Sequence, residues 1–364
     1  MGKFAFIIHP LSAKDVSRKF AFTKNWPDKY VESALKYIPP FTVSHITGIE
    51  SPLAKSEGWF IACPLTSRQM VEMPEAYVMK KIIKAAKMAE KLGAKVVGLG
   101  AFTSIVGDAG LTIAKNVNIA VTTGNSYTVA TALEGTRQAA RQMGIDLERA
   151  GVTVLGATGS IGAACAQILA REVRYLTLVA RHEVKLEKLA GQILQSTGLA
   201  VKVTANTKAA LKSADIVIAV TSAVDSIIEP EDLKPGAIVC DVARPRNVSR
   251  RVAELRNDVL VIEGGVVEVP GAVNFGFNFG FPPGTSYACM AETMILSLEQ
   301  RYDNFSLGRD LTVKQVETIN KLAHKHGFKL AGFRSFERAL TGEEIDRIKT
   351  NAAAKLDIKE RVFV

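Results

Sequence analysis

Short apolar runs alternate with stretches of helical period along most of the chain, which predicts strands alternating with helices. From Val152 onward the runs are rich in β-branched residues, and six of them are predicted strands. The first begins at Val152, and the others cover residues 175–179, 201–204, 216–220, 238–241 and 260–263. Strands that alternate with helices form parallel sheets, and this count fits a complete doubly wound sheet.

The first 150 residues show the same alternation, with predicted strands at residues 4–8, 42–46, 59–62, 96–98 and 119–121. We therefore predict an α/β fold with two domains, an α/β substrate domain over residues 1–147 and a Rossmann domain over residues 148–282. Residues 283–332, with a long helix starting near Thr285, are predicted to return to the N-terminal domain and close a cleft between the domains. Residues 333–364 form a predicted helical extension, to which we assign no chemistry.

The turn after the first strand of the Rossmann domain carries the most information. Residues 151–162 read GVTVLGATGSIG, an apolar strand followed by three spaced glycines and the start of a helix. Glycine allows the tight turn, the close approach of a pyrophosphate and the close packing of helix on strand, and the helix N-terminus offers N–H groups to phosphates. A structural turn is the alternative. The predicted nucleotide contacts are Gly156, Thr158, Gly159, Ser160, Ile161 and Gly162.

Arg181 indicates which nucleotide the turn binds. It follows the second strand of the Rossmann domain, where an NAD site has an acidic residue for the ribose 2′-hydroxyl. A guanidinium suits a 2′-phosphate instead, so the sequence favours NADPH over NADH. An ordinary solvated arginine at a strand end is the alternative.

Polar and glycine residues follow several other predicted strands, and ligands of parallel sheets bind beyond the carboxyl ends of the strands. Thr221, Ser222, Gly264 and Gly265 are predicted cofactor contacts on this ground. In the N-terminal half, Ser104 and Asn125 are candidates for holding a substrate carbonyl. Plain turns and helix capping explain the same residue types.

Composition and charge limit the classes of protein. The chain has 364 residues, 48% hydrophobic and 23% charged, and no apolar run reaches a membrane span, so we expect a cytoplasmic globular protein. The net charge is +10, but no nucleic-acid-binding motif accompanies it, and we expect no nucleic acid partner. The clearest basic stripe lies on a helix over residues 75–92 and is either a docking surface or a solvated face. Its members are Lys80, Lys84, Lys87 and Lys91.

The four cysteines, Cys63, Cys165, Cys240 and Cys289, have no zinc-ligand spacing, and we predict reduced thiols and no metal site. His324 and His326 are predicted caps at a helix end rather than metal ligands. Cys289 follows two prolines and Thr285 and so falls near the first turn of a predicted helix, where a thiolate is favoured. From the residues alone, a small packed side chain remains the alternative.

Several segments together resemble one family. They are GLGAFTSI at 98–105, TTGNSYT at 122–128, VLGATGSIG at 154–162, GGVVE at 264–268, ACMAETMILSL at 288–298, NFSLGR at 304–309 and HGF at 326–328. In this order they resemble the cyanobacterial-type long-chain acyl-[acyl carrier protein] reductases, which form fatty aldehydes. The resemblance runs from about Lys3 to Phe328.

The resemblance implies that Cys289 takes the acyl group from an acyl carrier protein or acyl-coenzyme A thioester, and that NADPH reduces the resulting enzyme thioester. The segment 275–280, FGFNFG, and the residues after 328 depart from it, so the acyl chain length and the donor stay open, as does homo-oligomerisation. The main alternative is an NADP-dependent dehydrogenase of the shikimate or methylenetetrahydrofolate type without a covalent intermediate. A regulatory protein that senses NADPH is a third interpretation.

Overall fold

A computed structural model describes residues 1–362 of the chain. The chain divides into two compact units, each made of two segments. Residues 1–127 and 267–331 form the first unit, and residues 128–266 with the chain from Gly332 onward form the second. None of the described helices combines the length and apolar character needed to cross a membrane.

The first unit is built on a five-stranded sheet whose order is β2-β3-β1-β4-β5. Strand β2 is antiparallel to β3, and the remaining neighbours are parallel. The strands are β1 Gly2–Ile8, β2 Phe41–Glu50, β3 Lys55–Ala62, β4 Val96–Leu99 and β5 Ala120–Thr122. The helices of this stretch are α1 Ala13–Val16, α2 Asp28–Tyr37, α3 Ser67–Glu72, α4 Glu75–Lys91, α5 Leu111–Ala114 and α6 Asn125–Met143. The central strand β1 is almost wholly buried, as its apolar sequence predicts.

The second unit is built on a parallel six-stranded sheet of order β11-β10-β9-β6-β7-β8. Its strands are β6 Gly151–Leu155, β7 Tyr175–Val179, β8 Lys202–Thr204, β9 Ile216–Ala219, β10 Ile238–Asp241 and β11 Leu260–Glu263. Its helices are α7 Ser160–Leu169, α8 Glu183–Thr197, α9 Thr207–Ser213 and α10 Arg250–Leu255. This is the doubly wound order, so the predicted α/β class and Rossmann sheet are confirmed.

Helix α6 belongs to the second unit from Thr128 onward, so the unit boundary lies earlier than the predicted one at residue 147. The physical reason is packing. The carbonyl oxygen of Ala132, in the middle of the helix, lies 3.8 Å from the sulfur of Cys240 on β10. A side chain at Gly135 would touch Ile262 on β11.

Residues 267–331 rejoin the first unit after the sixth Rossmann strand. Their elements are β12 Val266–Glu268, β13 Thr285–Tyr287, α11 Ala288–Leu298, α12 Val313–His326 and β14 Lys329–Leu330. The helix predicted to start near Thr285 starts instead at Ala288. The prediction was wrong here because residues 285–287 form a strand beside β12, which uses the backbone that a first helical turn would need.

The tail after Gly332 belongs to the second unit. It contains a hairpin of β15 Arg334–Ser335 and β16 Arg338–Ala339, followed by α13 Gly342–Val362. A capping box starts α13, since Thr341 N–H donates to Glu344 (2.9 Å) and Glu344 N–H donates to Thr341 Oγ1 (3.3 Å).

Candidate functional site

The glycine turn between β6 and α7 has the geometry that a dinucleotide site requires. Gly156 has a φ of +89°, and a side chain there would lie 2.9 Å from the carbonyl oxygen of Val220. A side chain at Gly162 would lie 2.3 Å from the carbonyl oxygen of Gly156. Helix α7 starts at Gly159 without a side-chain cap. The N-terminus of a helix after such a turn suits a phosphate, and its contact with a nucleotide stays a prediction.

The other predicted cofactor residues lie at the carboxyl end of the same sheet. Arg181 is exposed directly after β7. Thr221 donates through both its N–H and its hydroxyl to Oδ1 of Asn247, each at 3.0 Å. Asn247 is fully buried, and its Nδ2 has no hydrogen-bond partner within the described part of the chain. It fixes the loop that carries Thr221 and Ser222, a role that no local sequence signal reveals.

Gly264 and Gly265 form the short turn between β11 and β12. A side chain at Gly264 would lie 2.7 Å from Val242, and Gly265 has a φ of +82°. Both positions therefore need glycine for local reasons, and their contact with a cofactor stays a prediction.

Cys289 differs in its surroundings from the other three cysteines. It is the second residue of α11 and is partly exposed, whereas Cys63, Cys165 and Cys240 are buried. Burial raises the pKa of the Cys63 thiol to about 12 and that of Cys240 to about 12, and it raises the pKa of Cys165 as well. Those thiols stay protonated and shielded at neutral pH, so Cys289 is the one cysteine suited to react with a substrate.

Gly124 lies directly against Cys289. A side chain at Gly124 would lie 2.4 Å from both Cα and Cβ of Cys289, and its φ is +75°. Residues 122–127, which connect β5 to α6 and which we name the 122–127 turn, therefore touch the first turn of α11. Sequence analysis placed Gly124 in a motif but missed this contact, because the two residues are far apart in the chain.

The two residues predicted to hold a substrate carbonyl differ in their placement. Asn125 starts α6, is 8% exposed and follows Gly124, the residue that lies against Cys289. Ser104 is also buried, but its hydroxyl donates to the carbonyl oxygen of Ala101 at 2.6 Å within its own short helix. The geometry favours Asn125 over Ser104 for this task, and both roles stay predictions.

Glu292 is a buried carboxyl that sequence analysis missed. It is 0% exposed and lies three residues after Cys289 on α11. Its carboxylate accepts hydrogen bonds from the hydroxyl groups of Thr122 (2.5 Å) and Ser306 (2.8 Å) and from the N–H of Tyr127 (2.8 Å). Burial raises the pKa of Glu292, while these donors act in the opposite direction. The available signal was a single acidic residue within the apolar sequence ACMAETMILSL.

Aromatic side chains of the first unit lead toward the start of α11. Phe281 lies 4.4 Å from Tyr287, the residue before the helix, and 5.6 Å from Phe279. Phe279 in turn contacts Phe275 (5.1 Å) and Phe60 (5.6 Å), measured between ring centroids. Two rings of the segment that departs from the family resemblance, Phe275 and Phe279, thus belong to a series of aromatic contacts that ends at Tyr287, two residues before Cys289.

The two histidines near the end of α12 have different surroundings. His324 is exposed, whereas His326 is buried between Ser51 (2.9 Å from Nδ1) and Glu299 (2.9 Å from Nε2). The Ser51 hydroxyl also accepts the N–H of Ala54 within a turn, so this network ties α12 to the β2–β3 hairpin. No group of three or more metal-ligating side chains occurs among the described residues.

Comparisons with known proteins place this geometry in context. Residues 137–263, within the second unit, match the family model described as shikimate / quinate 5-dehydrogenase. The chain is 29% identical over 335 residues to the long-chain acyl-[acyl-carrier-protein] reductase of Synechococcus elongatus, covering 87% of this chain and 94% of that protein. It is 33% identical over 298 residues to the aminotransferase PigE of Serratia sp., covering 81% of this chain.

The aligned region of PigE is only 34% of that protein, so the chain spans about a third of its length. Among solved structures, quinate dehydrogenase from Corynebacterium glutamicum in complex with NAD has a TM-score of 0.36 and 15% identity, covering 71% of this chain and 86% of that chain. The match along nearly the whole Synechococcus reductase supports the resemblance that the sequence motifs indicate.

Proposed function

We propose that this protein is a nicotinamide-nucleotide-dependent reductase, and that its reaction is the conversion of a long-chain fatty acyl thioester to a fatty aldehyde. The observation that carries the proposal is Cys289, the one partly exposed cysteine, set in the first turn of α11 against Gly124. The similarity to the Synechococcus reductase supports the same reaction class.

Acyl transfer to the protein follows from this placement. The Cys289 thiol loses its proton, its thiolate attacks the thioester carbonyl carbon, and a new S–C bond forms. The donor's C–S bond breaks, and the donor leaves as a thiolate that takes up the proton released by Cys289. A helix N-terminus favours the thiolate, and we propose that the amide of Asn125, the residue after Gly124, holds the carbonyl oxygen as charge develops on it. Bound NADPH would supply a hydride to the acyl carbon. Cys289 then leaves as a thiolate, and the aldehyde is released.

We propose NADPH as the reductant because Arg181 is exposed after β7, where it would pair with a 2′-phosphate. The glycine turn and the uncapped α7 would hold the pyrophosphate. The match of residues 137–263 to the shikimate / quinate dehydrogenase model supports a nicotinamide nucleotide in this unit.

We propose an acyl carrier protein or coenzyme A as the acyl donor. The four lysines of the α4 stripe are all exposed, which suits docking of an acidic carrier. The series of aromatic rings from Phe275 through Phe279 to Phe281 suits a long apolar acyl chain carried by Cys289.

The family-model match favours a second candidate, an NADP-dependent dehydrogenase acting on a shikimate-like hydroxy acid. NADPH oxidation with palmitoyl thioesters of acyl carrier protein and coenzyme A, compared with NADP reduction with shikimate or quinate, separates the two. We expect aldehyde with a palmitoyl thioester and no turnover of the hydroxy acids. Turnover of shikimate or quinate without aldehyde would establish the second candidate.

A further inference from the structure

The surroundings of Glu292 assign it a task beyond packing. Its hydrogen-bond partners are uncharged donors, two hydroxyl groups and backbone N–H groups. A buried carboxyl loses much of its hydration, and hydrogen bonds to its oxygens offset this cost only when they are well placed. Such an arrangement fixes the position of every donor around it.

Three of the donors, Thr122, Gly124 and Tyr127, belong to the 122–127 turn, which lies against Cys289. Tyr127 is the third residue of α6, so its N–H belongs to the first helical turn, which has no partner within its own helix. Glu292 accepts this N–H and that of Gly124, and so caps α6 from another helix. The carboxyl thereby joins the N-terminal turn of α6 to α11.

Ser306 extends the connection. Its hydroxyl donates to Glu292 (2.8 Å) and lies 2.5 Å from the hydroxyl of Ser126, while its carbonyl oxygen accepts the hydroxyl hydrogen of Thr123 at 2.5 Å. Residues 122–127 are thus held at both sides, by α11 and by the loop that contains Ser306.

We propose that Glu292 is a positioning residue for Cys289: its carboxyl holds the 122–127 turn against α11 and thereby fixes Asn125, which lies within that turn and which the proposed function assigns to the carbonyl oxygen. This inference rests on the proposed function, because it assumes that Cys289 attacks a thioester. Residues three apart on a helix lie on the same face, so Glu292 and Cys289 both face this turn. Glu292 acts through the turn and contacts no substrate.

The test separates oxyanion stabilisation from thiol reactivity. Acylation of Cys289 by a palmitoyl thioester generates an oxyanion, whereas alkylation by iodoacetamide, a displacement at a saturated carbon, generates none. In single-turnover mass spectrometry without NADPH, we expect Glu292→Ala to slow acylation at saturating thioester about 100-fold, the usual effect of losing an oxyanion donor. Alkylation of Cys289 should change less than about threefold, since the thiol itself stays in place.

Glu292→Gln provides the second variant in case the alanine variant folds poorly, because its amide oxygen still accepts one N–H. We expect Glu292→Gln to acylate at least about tenfold faster than Glu292→Ala. Ser297→Ala is the matched control. Ser297 is also buried on α11, but its hydroxyl pairs with Ser56 at 2.7 Å, away from the 122–127 turn. This control should acylate at the wild-type rate.

The outcomes distinguish failure of the proposed function from failure of the positioning role of Glu292. Wild-type protein that alkylates at Cys289 but never acylates would overturn the proposed function and the role of Glu292 with it. Wild-type protein that acylates, with Glu292→Ala and Glu292→Gln equally fast, would overturn the positioning role alone. Equal losses of acylation and alkylation in both variants would also overturn it, because they would show a general distortion of α11.

Discussion

Gly124 is a position beside Cys289 that requires glycine, both for its backbone conformation and for lack of space. A β-carbon at this position would approach Cys289 Cα and Cβ to 2.4 Å, and the φ of +75° is costly for any residue with a side chain. The helix that carries Cys289 and the 122–127 turn approach each other this closely only because the position is glycine.

We therefore expect Gly124→Ala to lower the free energy of unfolding by about 1–3 kcal/mol and to slow acylation of Cys289 by a larger factor than its stability explains. Gly191→Ala is the control, because Gly191 lies within α8 and an added β-carbon there would meet nothing within 4 Å. Thermal unfolding and single-turnover acylation measure the two effects. A Gly124→Ala protein with the same unfolding temperature and the same acylation rate as the Gly191→Ala control would contradict the close contact between Gly124 and Cys289.

We propose that Arg181 selects NADPH over NADH by pairing with the 2′-phosphate. Loss of a charge-assisted hydrogen bond to a 2′-phosphate costs about 1.5–3 kcal/mol, so Arg181→Ala should weaken NADPH binding about 10- to 100-fold and leave NADH binding nearly unchanged. Calorimetric titration with both nucleotides measures this. Arg171→Ala is the control, because Arg171 is exposed just beyond the end of α7 that lies away from the glycine turn. Equal losses for NADPH and NADH would refute the assignment.

Single residues also show where sequence analysis reached its limit. Cys289 could be singled out because proline, threonine and glycine residues before it mark a helix start. Gly124, Glu292 and Asn247 could not, because the partners described for them lie 14 to 170 residues away in the chain and only the folded protein brings them together.

Helix α4 shows how an element separates two kinds of lysine. Lys81 is buried, and its Nζ donates to the carbonyl oxygens of Leu35 (2.7 Å), Lys36 (2.9 Å) and Pro64 (3.2 Å), which fixes α4 to the end of α2. The stripe on the other face is exposed, as the helical spacing predicts. It is therefore available to an acidic partner.

We expect reversal of all four stripe lysines to glutamate to raise the KM for palmitoyl-acyl carrier protein about tenfold or more, and to leave the KM for palmitoyl-coenzyme A within about twofold. Added salt should raise the carrier-protein KM of the wild type but no longer that of the variant. The control reverses four exposed lysines on α9 and α12, namely Lys208, Lys212, Lys314 and Lys321. If the stripe variant and the control variant have the same KM for palmitoyl-acyl carrier protein and the same salt dependence, the stripe is an ordinary solvated face.

The elements themselves follow closely from the apolar pattern. The predicted strands of the Rossmann sheet fall within about a residue of the observed ones, because buried parallel strands are continuous apolar runs. The start of α11 was wrong by three residues because β13 pairs through its backbone with β12, and no side-chain pattern in TSY indicates that pairing.

On the scale of the whole chain, the tail after Gly332 is tied to the rest of the second unit by a hydrogen bond to Glu263 and by the ion pair of Arg246 with Glu337 (3.3 Å). Glu263, at the end of β11, pairs with Arg246 (2.8 Å) and Arg244 (3.3 Å) and also accepts the N–H of Glu337 in the tail hairpin (2.7 Å). Burial by itself would raise the pKa of Glu263, but the two arginines and these hydrogen bonds hold it below the usual value.

This shift gives a pH dependence with a definite sign. A carboxyl whose pKa is lowered by folding adds stability above its unfolded pKa of about 4.3, and that stability is lost as the pH falls through the folded value. Glu263→Gln should destabilise the protein by about 3–5 kcal/mol at pH 7, because it leaves arginine charges without their buried partner. Between pH 5 and pH 3, roughly the range in which carboxyls titrate, the unfolding temperature of Glu263→Gln should fall less than that of the wild type. Glu231→Gln, at an exposed position, is the control, and a Glu263→Gln protein as stable as this control would contradict the account.

The central claim is that Cys289 carries the acyl group, and its most direct test is the mass of the protein after incubation with a palmitoyl thioester in the absence of NADPH. We expect one added acyl group, located on Cys289 by peptide mapping and removed by NADPH with release of aldehyde. The three buried cysteines are internal controls, and Cys289→Ala should lose both the adduct and the aldehyde while binding NADPH as before. Aldehyde formation by Cys289→Ala at a rate comparable with wild type would contradict the covalent mechanism.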